Sequence, residues 1–549
     1  MPSMPPLQSA EVQPFLRALD RPEAAQQAVL QRIVSQNASS AFGTRCGFAS
    51  VSTMADFRRC TPVAGYAAFA PAIDKMVLGG EQGLLTSEPV KRFFLTSGSS
   101  AKSKYIPVTR SLLQAKSRAF STFWSSVFEA HPAVKRAGMV TNFSDGGEAV
   151  STPGGLPSSS ESAYWSSVSR AAALGRAPML PACVASIGDS EARYYALARL
   201  LLEQPVSGIM SLNPSTIVLL FEKIAAHASA LADDLERGTI GAGVRVPDEV
   251  VTAVADRCAP NPRRAAALRA LIDENAVLAH RLWPTLALGV CWRSPMLRPY
   301  MELLQPHFGP CAQRDFITMA SEGVMSLPID PRRRGGPLAI DSHVYEFIRH
   351  TDVDETSPET LLPHELTVGE RYVVVMTTQG GLYRYNIGDV VEVTGFAGRT
   401  PCIEFQHRAG STCSLTGEKL TEDQVTEAMA EAMASLPVEA FTIAPAPEGF
   451  PRYIALLEFK DALAAGVLEG LPHRLDEALE QQNIEYGSKR SSQRLGAPEV
   501  WVVQRGSFER FRRQRLASGT SDSQFKPTHL TRDVNFSEQF DIEERVRAR

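Results

Sequence analysis

Residues 96–107 read Thr96-Ser97-Gly98-Ser99-Ser100-Ala101-Lys102-Ser103-Lys104-Tyr105-Ile106-Pro107, a hydroxyl-rich turn with two lysines. A turn that binds phosphate needs small residues, so that backbone N–H groups can approach the ligand, and it needs hydroxyl groups and a cation. Gly98, the serines and Lys104 meet these needs. The segment therefore predicts either a polyphosphate-binding turn or an ordinary polar turn. It is not a Walker A loop, because G-x-x-x-x-G-K-[ST] occurs nowhere in the chain.

A single lysine, Lys526, lies in the C-terminal stretch Ser523-Gln524-Phe525-Lys526-Pro527. Hydroxyl residues precede it, in Ser518-Gly519-Thr520-Ser521-Asp522. A lysine in such a polar tail is either a solvated surface charge or a cation that is delivered to an anionic ligand. The residues alone leave these two interpretations open.

Two acidic residues follow strand-like runs in the middle of the chain. Glu322 comes after Phe316-Ile317-Thr318-Met319-Ala320, which predicts a carboxylate at the end of a buried strand. Such a carboxylate suits a Mg²⁺ ion that also contacts substrate phosphates, and the alternative is a solvated Glu. Asp389 ends Tyr383-Arg384-Tyr385-Asn386-Ile387-Gly388-Asp389. It either holds a vicinal diol, as acidic residues hold ribose, or takes part in turn chemistry at a strand irregularity.

The composition is that of a globular protein with more than one domain. The chain has 549 residues, of which 44% are hydrophobic and 21% charged, and its formal net charge is −4. That balance gives no general attraction to nucleic acid or an anionic membrane, so neither is expected as a partner. The eight cysteines are dispersed without a C-x-x-C pair. No apolar run reaches the roughly 20 residues of a membrane span, and no signal peptide is visible, so we expect a cytoplasmic protein.

Hydrophobic periodicity separates the chain into elements. Residues 190–235 predict two helices, and residues 237–265, which are rich in polar residues, predict an exposed excursion. Residues 370–396 predict a β-hairpin, since two β-branched runs flank a Gly-Gly turn. The polar segment Gln406-His407-Arg408-Ala409-Gly410-Ser411 is typical of an interdomain hinge. Beyond it, mixed helical and strand patterns predict a small α+β domain.

Taken together and in this order, the segments resemble the Gretchen Hagen 3 family of acyl-acid amido synthetases, of the adenylate-forming, firefly-luciferase-like superfamily. The turn Thr96–Lys104 is similar to the family's first nucleotide motif, Thr318–Glu322 to the second and Tyr383–Asp389 to the third. Further likeness lies in Gly335-Gly336-Pro337 through Asp341 to Tyr345-Glu346-Phe347, in Gly417-Glu418-Lys419-Leu420 and in Gln524-Phe525-Lys526. The likeness covers about residues 80–530 and is that of a bacterial-type member.

The resemblance implies an α/β fold class. A large N-terminal adenylate-forming domain, residues 1–405, would combine β-sheets with helices and a β-barrel-like part. Residues 406–412 would form a hinge, and residues 413–549 a small, mobile α+β C-terminal lid domain.

The resemblance also implies a reaction in two steps. A carboxylic acid is adenylated by ATP with Mg²⁺, which releases pyrophosphate, and the acyl group is then transferred to an amine, usually of an amino acid. The cofactors are therefore ATP and Mg²⁺, and the partners are a small-molecule acid and an amine. The identity of both substrates and the oligomeric state stay open.

The same resemblance assigns residues to the site. Glu322 would bind Mg²⁺, Asp389 the ribose hydroxyls, and Lys526 the α-phosphate and the substrate carboxylate, so that Lys526 and Glu322 are the candidate catalytic residues. The β- and γ-phosphates would be held by Ser97, Ser99, Ser100 and Lys104. The other candidates for nucleotide binding are Thr96, Gly98, Thr318, Met319, Ser321, Arg408 and Lys419. The border of the acyl or nucleotide pocket would include Ser211, Asn213 and Ser215.

Three positions depart from the family pattern. Ala101 stands where the first motif usually has Gly, Thr318 where the second has Tyr near the adenine, and Asn386 where the third often has Arg. Two alternatives to amide synthesis follow. The acyl acceptor would be a thiol, of coenzyme A or a carrier protein, or the fold would be a degenerate, non-catalytic binding protein.

Overall fold

The computed structural model describes residues 7–96, 104–141, 149–171, 180–294, 297–352, 355, 358–408, 412–434, 436–461, 466–517 and 529–547. They form two compact units, the first within residues 1–96 and 105–409 and the second mainly within residues 410–549. Each unit is described by itself.

The first unit contains helices, strands and short 3-10 turns. Within the described residues, its helices are α1 (Gln13–Leu19), α2 (Pro22–Gln36), α3 (Ala41–Arg45), α4 (Met54–Cys60), α5 (Tyr66–Gly79), α6 (Arg110–Ala130), α7 (Glu161–Ala171), α8 (Ala182–Ala185), α9 (Ser190–Leu202), α10 (Pro214–Ala226), α11 (Ala228–Arg237), α12 (Asp248–Ala253), α13 (Pro262–Asp273), α14 (Ala279–Leu282) and α15 (Arg298–Phe308). Its strands are β1 (Arg92–Thr96), β2 (Lys104–Val108), β3 (Gly138–Thr141), β4 (Val150–Ser151), β5 (Pro157–Ser159), β6 (Val206–Met210), β7 (Leu288–Cys291), β8 (Ala312–Asp315), β9 (Thr318–Ala320), β10 (Gly323–Ser326), β11 (Gly336–Pro337), β12 (Val344–Arg349), β13 (Arg371–Thr377), β14 (Tyr385–Ala397) and β15 (Thr400–Arg408). The 3-10 turns are Phe48–Ser50, Pro132–Arg136, Ala255–Arg257, His350–Asp352 and Pro363–Glu365.

A parallel sheet with the strand order β3-β6-β7-β8 is one centre of the first unit. All residues of β6 and β7 are buried, which is the pattern of parallel strands that are covered on both faces. The helices α9, α10, α11 and α15 supply most of the apolar core beside these strands. Because the strands are parallel, their carboxyl ends meet at one edge of the sheet, where open α/β sheets usually bind ligands.

The segment 237–265 is only in part the exposed excursion that its polar composition predicts, because most of its residues are exposed or half-buried but a few apolar ones are not. Val246, Val250, Val254 and Cys258 are buried in the same core as α9 and α10. They are spaced four residues apart. They lie in and beside the short helix α12 and the 3-10 turn that follows it, and the polar residues between them hid these buried positions from a prediction based on composition.

Two larger sheets and the two-stranded pair β9–β10 complete the described part of the first unit. The two larger sheets differ in strand order. One has the order β2-β1-β5-β4, and the other is antiparallel with the order β11-β15-β14-β13-β12. The predicted hairpin at 370–396 is confirmed, as the pair β13–β14. A core that includes α2, α5 and α6 packs beside both sheets.

The second unit is a smaller α+β assembly. Within the described residues, its helices are α16 (Glu422–Ala432), α17 (Leu471–Gln482), α18 (Ile484–Ser491) and α19 (Ser507–Ala517), and its strands are β16 (Thr412–Cys413), β17 (Leu420–Thr421), β18 (Val438–Pro445), β19 (Tyr453–Phe459), β20 (Glu499–Val503) and β21 (Ile542–Val546). A 3-10 turn is Phe536–Gln539. The main sheet has the order β18-β19-β20-β21. α16 begins with a capping box, in which Thr421 Oγ1 accepts from Gln424 N at 3.3 Å and Gln424 Oε1 accepts from Thr421 N at 3.1 Å.

The fold class predicted from the sequence, a mixed α/β protein with a small α+β C-terminal part, is therefore confirmed. The boundaries at 405 and 413 stay a prediction, because residues 409–411 of the hinge lie outside the described residues. In the described ranges, no single helix is long and apolar enough to cross a membrane, and α10 with α11 reaches the required length only across a bend of 72°.

Candidate active site

The predicted phosphate turn joins two neighbouring strands. Thr96 is the last residue of β1 and Lys104 is the first residue of β2. Between them, the predicted phosphate ligands Ser97, Gly98, Ser99 and Ser100 lie outside the described residues, as does Ala101. The structure therefore describes the base of the turn.

Tyr66 fixes that base. Its hydroxyl donates to Tyr105 O at 3.2 Å and accepts from Tyr105 N at 3.0 Å, so both polar backbone groups of the second residue of β2 are paired with one side chain. Burial raises the pKa of Tyr66 to about 12, and the charge of Glu322 adds to this effect. The hydroxyl therefore stays protonated and keeps its donor function near Glu322.

The same segment also contacts the third motif. Ala64 N donates to Arg384 O at 3.1 Å, and Asn386 N donates to Ala64 O at 2.9 Å. Ala64 thus pairs with the start of β14, while Tyr66, two residues later, holds β2. Sequence reasoning missed both residues, since neither carries a motif of its own.

Glu322 lies in a tight turn and not at the end of a buried strand. β9 and β10 form a hairpin in which Ala320 pairs with Gly323, so that Ser321 and Glu322 are the connecting residues. Glu322 is nevertheless only 5% exposed. Thr318 and Met319 lie in β9 and are partly exposed. The sequence therefore predicted a buried strand before Glu322, whereas the structure has a partly exposed strand and a hairpin turn that contains Glu322.

A buried lysine lies against this hairpin. Lys116 of α6 is fully buried, and its Nζ donates to Ala320 O at 2.8 Å and to Glu161 Oε1 at 2.6 Å. Burial lowers the pKa of Lys116, and the neighbouring charges of Glu161 and Glu322 oppose that shift. The signal in the sequence was a lysine on the apolar stripe of α6 that contains Leu112 and Ala119.

Asp389 lies in an irregularity of the antiparallel sheet. Val373 pairs with Val390 and Val375 with Asn386, so three residues of β14 face one residue of β13. Gly388 has a φ of +76°, which favours glycine, and its N–H donates to Asn386 Oδ1 at 2.9 Å. Bulges of this kind redirect side chains next to active sites. Asp389 is 5% exposed and faces Arg408 of β15 in register, although the Arg408 side chain is outside the described part.

Asn386, at the position where the family often has Arg, therefore stabilises the bulge by accepting the hydrogen bond from Gly388 N. Arg384, the arginine of this motif, is also occupied. Its Nε donates to Glu346 Oε2 at 2.8 Å and its Nη2 to Glu346 Oε1 at 3.0 Å, while Arg58 Nε donates to Glu346 Oε1 at 2.7 Å. Although burial alone would raise it, the hydrogen bonds from Arg384 hold the pKa of Glu346 below its usual range. This ion pair joins β12 to the start of the third motif and is structural.

Ser211, Asn213 and Ser215 lie at the carboxyl edge of the parallel sheet, directly after β6. Asn213 is the N-cap of α10, and its Oδ1 accepts from Ser215 N at 2.9 Å and from Ser215 Oγ at 2.7 Å. Ser211 N donates to Val290 O of β7 at 3.1 Å. All three residues are buried. Their place at this edge agrees with a pocket border, but the described contacts of Asn213 and Ser215 are those of a helix cap.

The remaining candidates belong to the second unit. Lys419 is half-buried and has a φ of +52° in the turn between β16 and β17. The Glu418 carboxylate accepts from Leu415 N at 2.6 Å and Thr416 N at 2.7 Å, which fixes this turn. Lys526 lies outside the described residues.

The described candidates thus group as follows. In the first unit, Tyr66 and Ala64 connect the base of the phosphate turn with the third motif, and Tyr66 and Lys116 interact electrostatically with Glu322. Among the described residues, no group of three or more His, Cys, Asp or Glu side chains is placed to hold a metal ion.

Curated relatives match over nearly the full chain. The chain is 27% identical to the probable indole-3-acetic acid-amido synthetase GH3.12 of Oryza sativa subsp. japonica, over 91% of this chain and 90% of the relative. It is 24% identical to the jasmonoyl–L-amino acid synthetase JAR4 of Nicotiana attenuata, over 93% and 92%. The predicted enzyme class, an acid–amino acid ligase that forms an amide, is confirmed by these matches.

A solved structure agrees in fold. The GH3.15 acyl acid amido synthetase superposes with a TM-score of 0.65 and 19% sequence identity, covering 100% of this chain and 99% of that chain.

Family models match the chain in three consecutive segments. They are the GH3 family N-terminal domain at residues 11–312, the GH3 family central domain at residues 336–408 and the GH3 family C-terminal domain at residues 422–535. The chain therefore belongs to the GH3 family, as its motifs predicted.

Proposed function

We propose that this protein activates a small carboxylic acid with ATP and transfers the acyl group to the amine of an amino acid. The observation that carries this proposal is the match to all three GH3 family domains, in order and over most of the chain. The named activities of the relatives, indole-3-acetic acid-amido and jasmonoyl–L-amino acid synthesis, support a small organic acid and an amino acid as substrates.

In the first step, a carboxylate oxygen attacks the α-phosphorus of ATP. The bond from this phosphorus to the bridging oxygen breaks, pyrophosphate leaves and an acyl-adenylate remains. Two anions meet in this step, so its rate depends on fixed donors and cations that face the developing charge. Ser97, Ser99, Ser100 and Lys104 supply them to the β- and γ-phosphates, and Lys526 supplies a cation to the α-phosphate and the attacking carboxylate.

The rest of the nucleotide is held by groups around these ligands. Asp389 accepts hydrogen bonds from the ribose hydroxyls, and the bulge with Gly388 directs its carboxylate. Thr96, Gly98, Thr318, Met319, Ser321, Arg408 and Lys419 complete the nucleotide site. Ser211, with Asn213 and Ser215 behind it, borders the acyl or nucleotide pocket at the sheet edge.

Glu322 is the residue that would hold Mg²⁺. The donor set fits, because a carboxylate carried by a short turn offers a hard oxygen ligand, and Mg²⁺ at nucleotide sites takes its other ligands from phosphates and water. When bound, the ion offsets phosphate charge. The chain's own contribution is the fixed position of the Glu322 turn.

In the second step, the amine nitrogen attacks the acyl carbonyl carbon, the bond from this carbon to the phosphate oxygen breaks, and AMP leaves. The nitrogen loses one proton to solvent and an amide remains. We assign residues 406–412 to a hinge that allows the second unit, with Lys526, to change position between the steps.

The acceptor is tested by product analysis. The protein is incubated with ATP, Mg²⁺ and a panel of carboxylic acids, with the amino acids in one series and coenzyme A in the other, and products are identified by mass spectrometry. We expect acyl–amino acid amides and an equal amount of AMP in the first series. Thioester formation with coenzyme A, without amide, would replace this proposal with the thiol alternative, and absence of ATP binding by calorimetry would favour the non-catalytic one.

A further inference from the structure

The hairpin that carries Glu322 has little stability of its own. It consists of two short strands that form a sheet of two, and two-stranded hairpins are marginal in water. β10 is also bonded to the chain beside it, where Ala339 N donates to Met325 O at 2.8 Å, whereas in the described sheets β9 has β10 as its strand partner. Two-residue hairpin loops favour types I′ and II′, which need positive φ. Neither Ser321 nor Glu322 has a positive φ, so the loop is neither of these types. Its backbone twist therefore does not match the twist of the two strands that it joins. The position of Glu322 therefore depends on contacts from outside the hairpin.

One side of the turn is fixed by close packing. A Cβ at Gly323 would come within 2.6 Å of Met376 Cε and 2.8 Å of His343 Nε2, so the backbone lies directly against these side chains. His343 is itself fixed, because its Nδ1 donates to Gln379 Oε1 at 2.9 Å while Gln379 Nε2 donates to Ser342 O at 2.8 Å. This contact limits movement of the turn toward the antiparallel sheet.

Tyr345 Oη donates to Val324 O of β10 at 2.6 Å, and the polar contact at the end of β9 comes from Lys116. Its Nζ donates to the carbonyl of Ala320, two residues before Glu322, and to Glu161 Oε1. Glu161 is held in turn by Trp165 Nε1, which donates to the same oxygen at 2.8 Å. Three segments therefore meet at one ammonium group: α6, the start of α7 and the end of β9.

Packing alone does not explain why the ion pair between Lys116 and Glu161 is buried. Charges are costly to bury, and apolar residues of similar volume often replace a buried ion pair without loss of stability. A methionine at position 116 would fill the space but would leave Ala320 O without its donor. What the charged pair adds over apolar residues is thus the hydrogen bond from Lys116 Nζ to Ala320 O, directly before the turn that contains Glu322.

We propose that Lys116 and Glu161 form a buried positioning pair that fixes the Glu322 turn for the complex of metal and nucleotide. The pair acts through Ala320 and touches neither the nucleotide nor the metal. This inference rests on the proposed function for the identity of the ligand at Glu322, but the anchoring of the turn is a property of the protein without ligand.

The test uses the double variant Lys116→Met/Glu161→Gln, which removes the anchor without leaving one charge buried alone. In the ligand-free full-length protein, we expect amide hydrogen exchange at residues 321–324 to be about tenfold faster than in the unmodified protein. By calorimetry, the Mg²⁺ concentration that gives half-maximal tightening of ATP binding should rise about tenfold, as for other residues that orient metal ligands. ATP binding without metal should not change.

The matched control is Lys223→Met/Glu191→Gln, a Lys–Glu pair at 2.5 Å elsewhere in the first unit. It should alter neither measurement. If the double variant does not fold, Glu161→Gln alone should show the same two effects at smaller size. Unchanged exchange at residues 321–324 in the folded variant would overturn the inference, even if the unmodified protein is fully active. Lack of acid-dependent pyrophosphate exchange by the unmodified protein would instead contradict the proposed function, and the two failures are therefore distinguishable.

Discussion

Single residues at the candidate site divide into those that we propose as ligand contacts and those whose side chains fix the backbone beside them. Asp389 and Glu322 are nearly buried carboxylates on irregular backbone, whereas Asn386 and Arg384 next to Asp389 are occupied by Gly388 and Glu346. Sequence motifs do not separate these groups, because both types are polar and adjacent. The separation needs the hydrogen-bond partners, which only the fold supplies.

Replacement of Asp389 should weaken nucleotide binding. Asp389→Ala removes the proposed acceptor of the ribose hydroxyls, so we expect the Kd for ATP to rise about tenfold, the size of a lost hydrogen bond to a charged group. Calorimetry measures this change. Glu392→Gln, on the same strand but paired with Arg371, is the control and should bind ATP normally. Unchanged ATP affinity of Asp389→Ala would remove Asp389 from the ribose site.

His343 should make stability depend on pH. Burial lowers its pKa to about 3, whereas the unfolded chain has an ordinary histidine with a pKa of about 6.5. Below pH 6.5 the unfolded state takes up a proton that the folded state does not, so stability that is complete above this pH is lost as the pH falls. Between pH 7.5 and 5, the unmodified protein should lose about 2 kcal/mol more than His343→Gln in urea unfolding followed on the first unit. Parallel losses in the two proteins would show that His343 is accessible or paired in solution.

Tyr66, Lys116 and Glu161 show why the supporting residues escaped prediction. Tyr66 contacts Tyr105 from 39 positions away, and Lys116 reaches Ala320 across 204 positions. No pattern within a short stretch of sequence predicts contacts between residues so far apart in the chain. By contrast, Glu322 and Asp389 lie inside compact motifs and could be proposed as site residues from the sequence.

At the scale of elements, irregular positions in the strands place the side chains of the candidate site. The bulge around Gly388 and the tight turn after β9 each place one carboxylate, and the segment with Ala64 and Tyr66 connects strands of two sheets. The hairpin at 370–396 was predictable because period and turn residues are local. The bulge within it was not, since its register depends on the neighbouring strand.

A side chain at Gly388 should strain this bulge. Gly388→Ala forces a residue with a Cβ into φ +76°, which costs about 1–2 kcal/mol. Gly369→Ala is the matched control, because its φ is +85° and its Cβ would meet no atom within 4 Å. Both variants should lose similar stability in urea unfolding, but only Gly388→Ala should weaken ATP binding. Equal ATP affinity in the two variants would show that the bulge does not position Asp389.

Loss of the Tyr66 hydroxyl should loosen the base of the phosphate turn. Tyr66→Phe removes both hydrogen bonds to Tyr105, so we expect the KM for ATP to rise about fivefold, with little change for the acid. Steady-state kinetics with each substrate varied measures this split. Tyr372→Phe is the control, because its hydroxyl also accepts a backbone N–H, from Thr367 at 3.1 Å, in another part of the unit. Equal KM values for Tyr66→Phe and the unmodified protein would separate Tyr66 from nucleotide binding.

At the scale of the whole molecule, the two units carry different parts of the proposed site. Glu322 and Asp389 belong to the first unit, whereas Lys419 belongs to the second. The order of the motifs along the chain predicted this division, because the small α+β pattern begins after the polar segment 406–411. The buried apolar residues of segment 237–265 were missed, since they are few and separated by exposed polar ones.

The most direct measurement is pyrophosphate exchange into ATP, dependent on a carboxylic acid and carried out without amine or thiol. The acid is first chosen from a panel with the unmodified protein, and the exchange is then compared with that of Lys526→Ala, whose ATP binding is followed by calorimetry. We predict exchange only when the acid is present, and its loss in Lys526→Ala, with ATP affinity reduced only modestly. Full exchange by Lys526→Ala, or exchange that does not require an acid, would contradict the proposed adenylation by a site that includes Lys526.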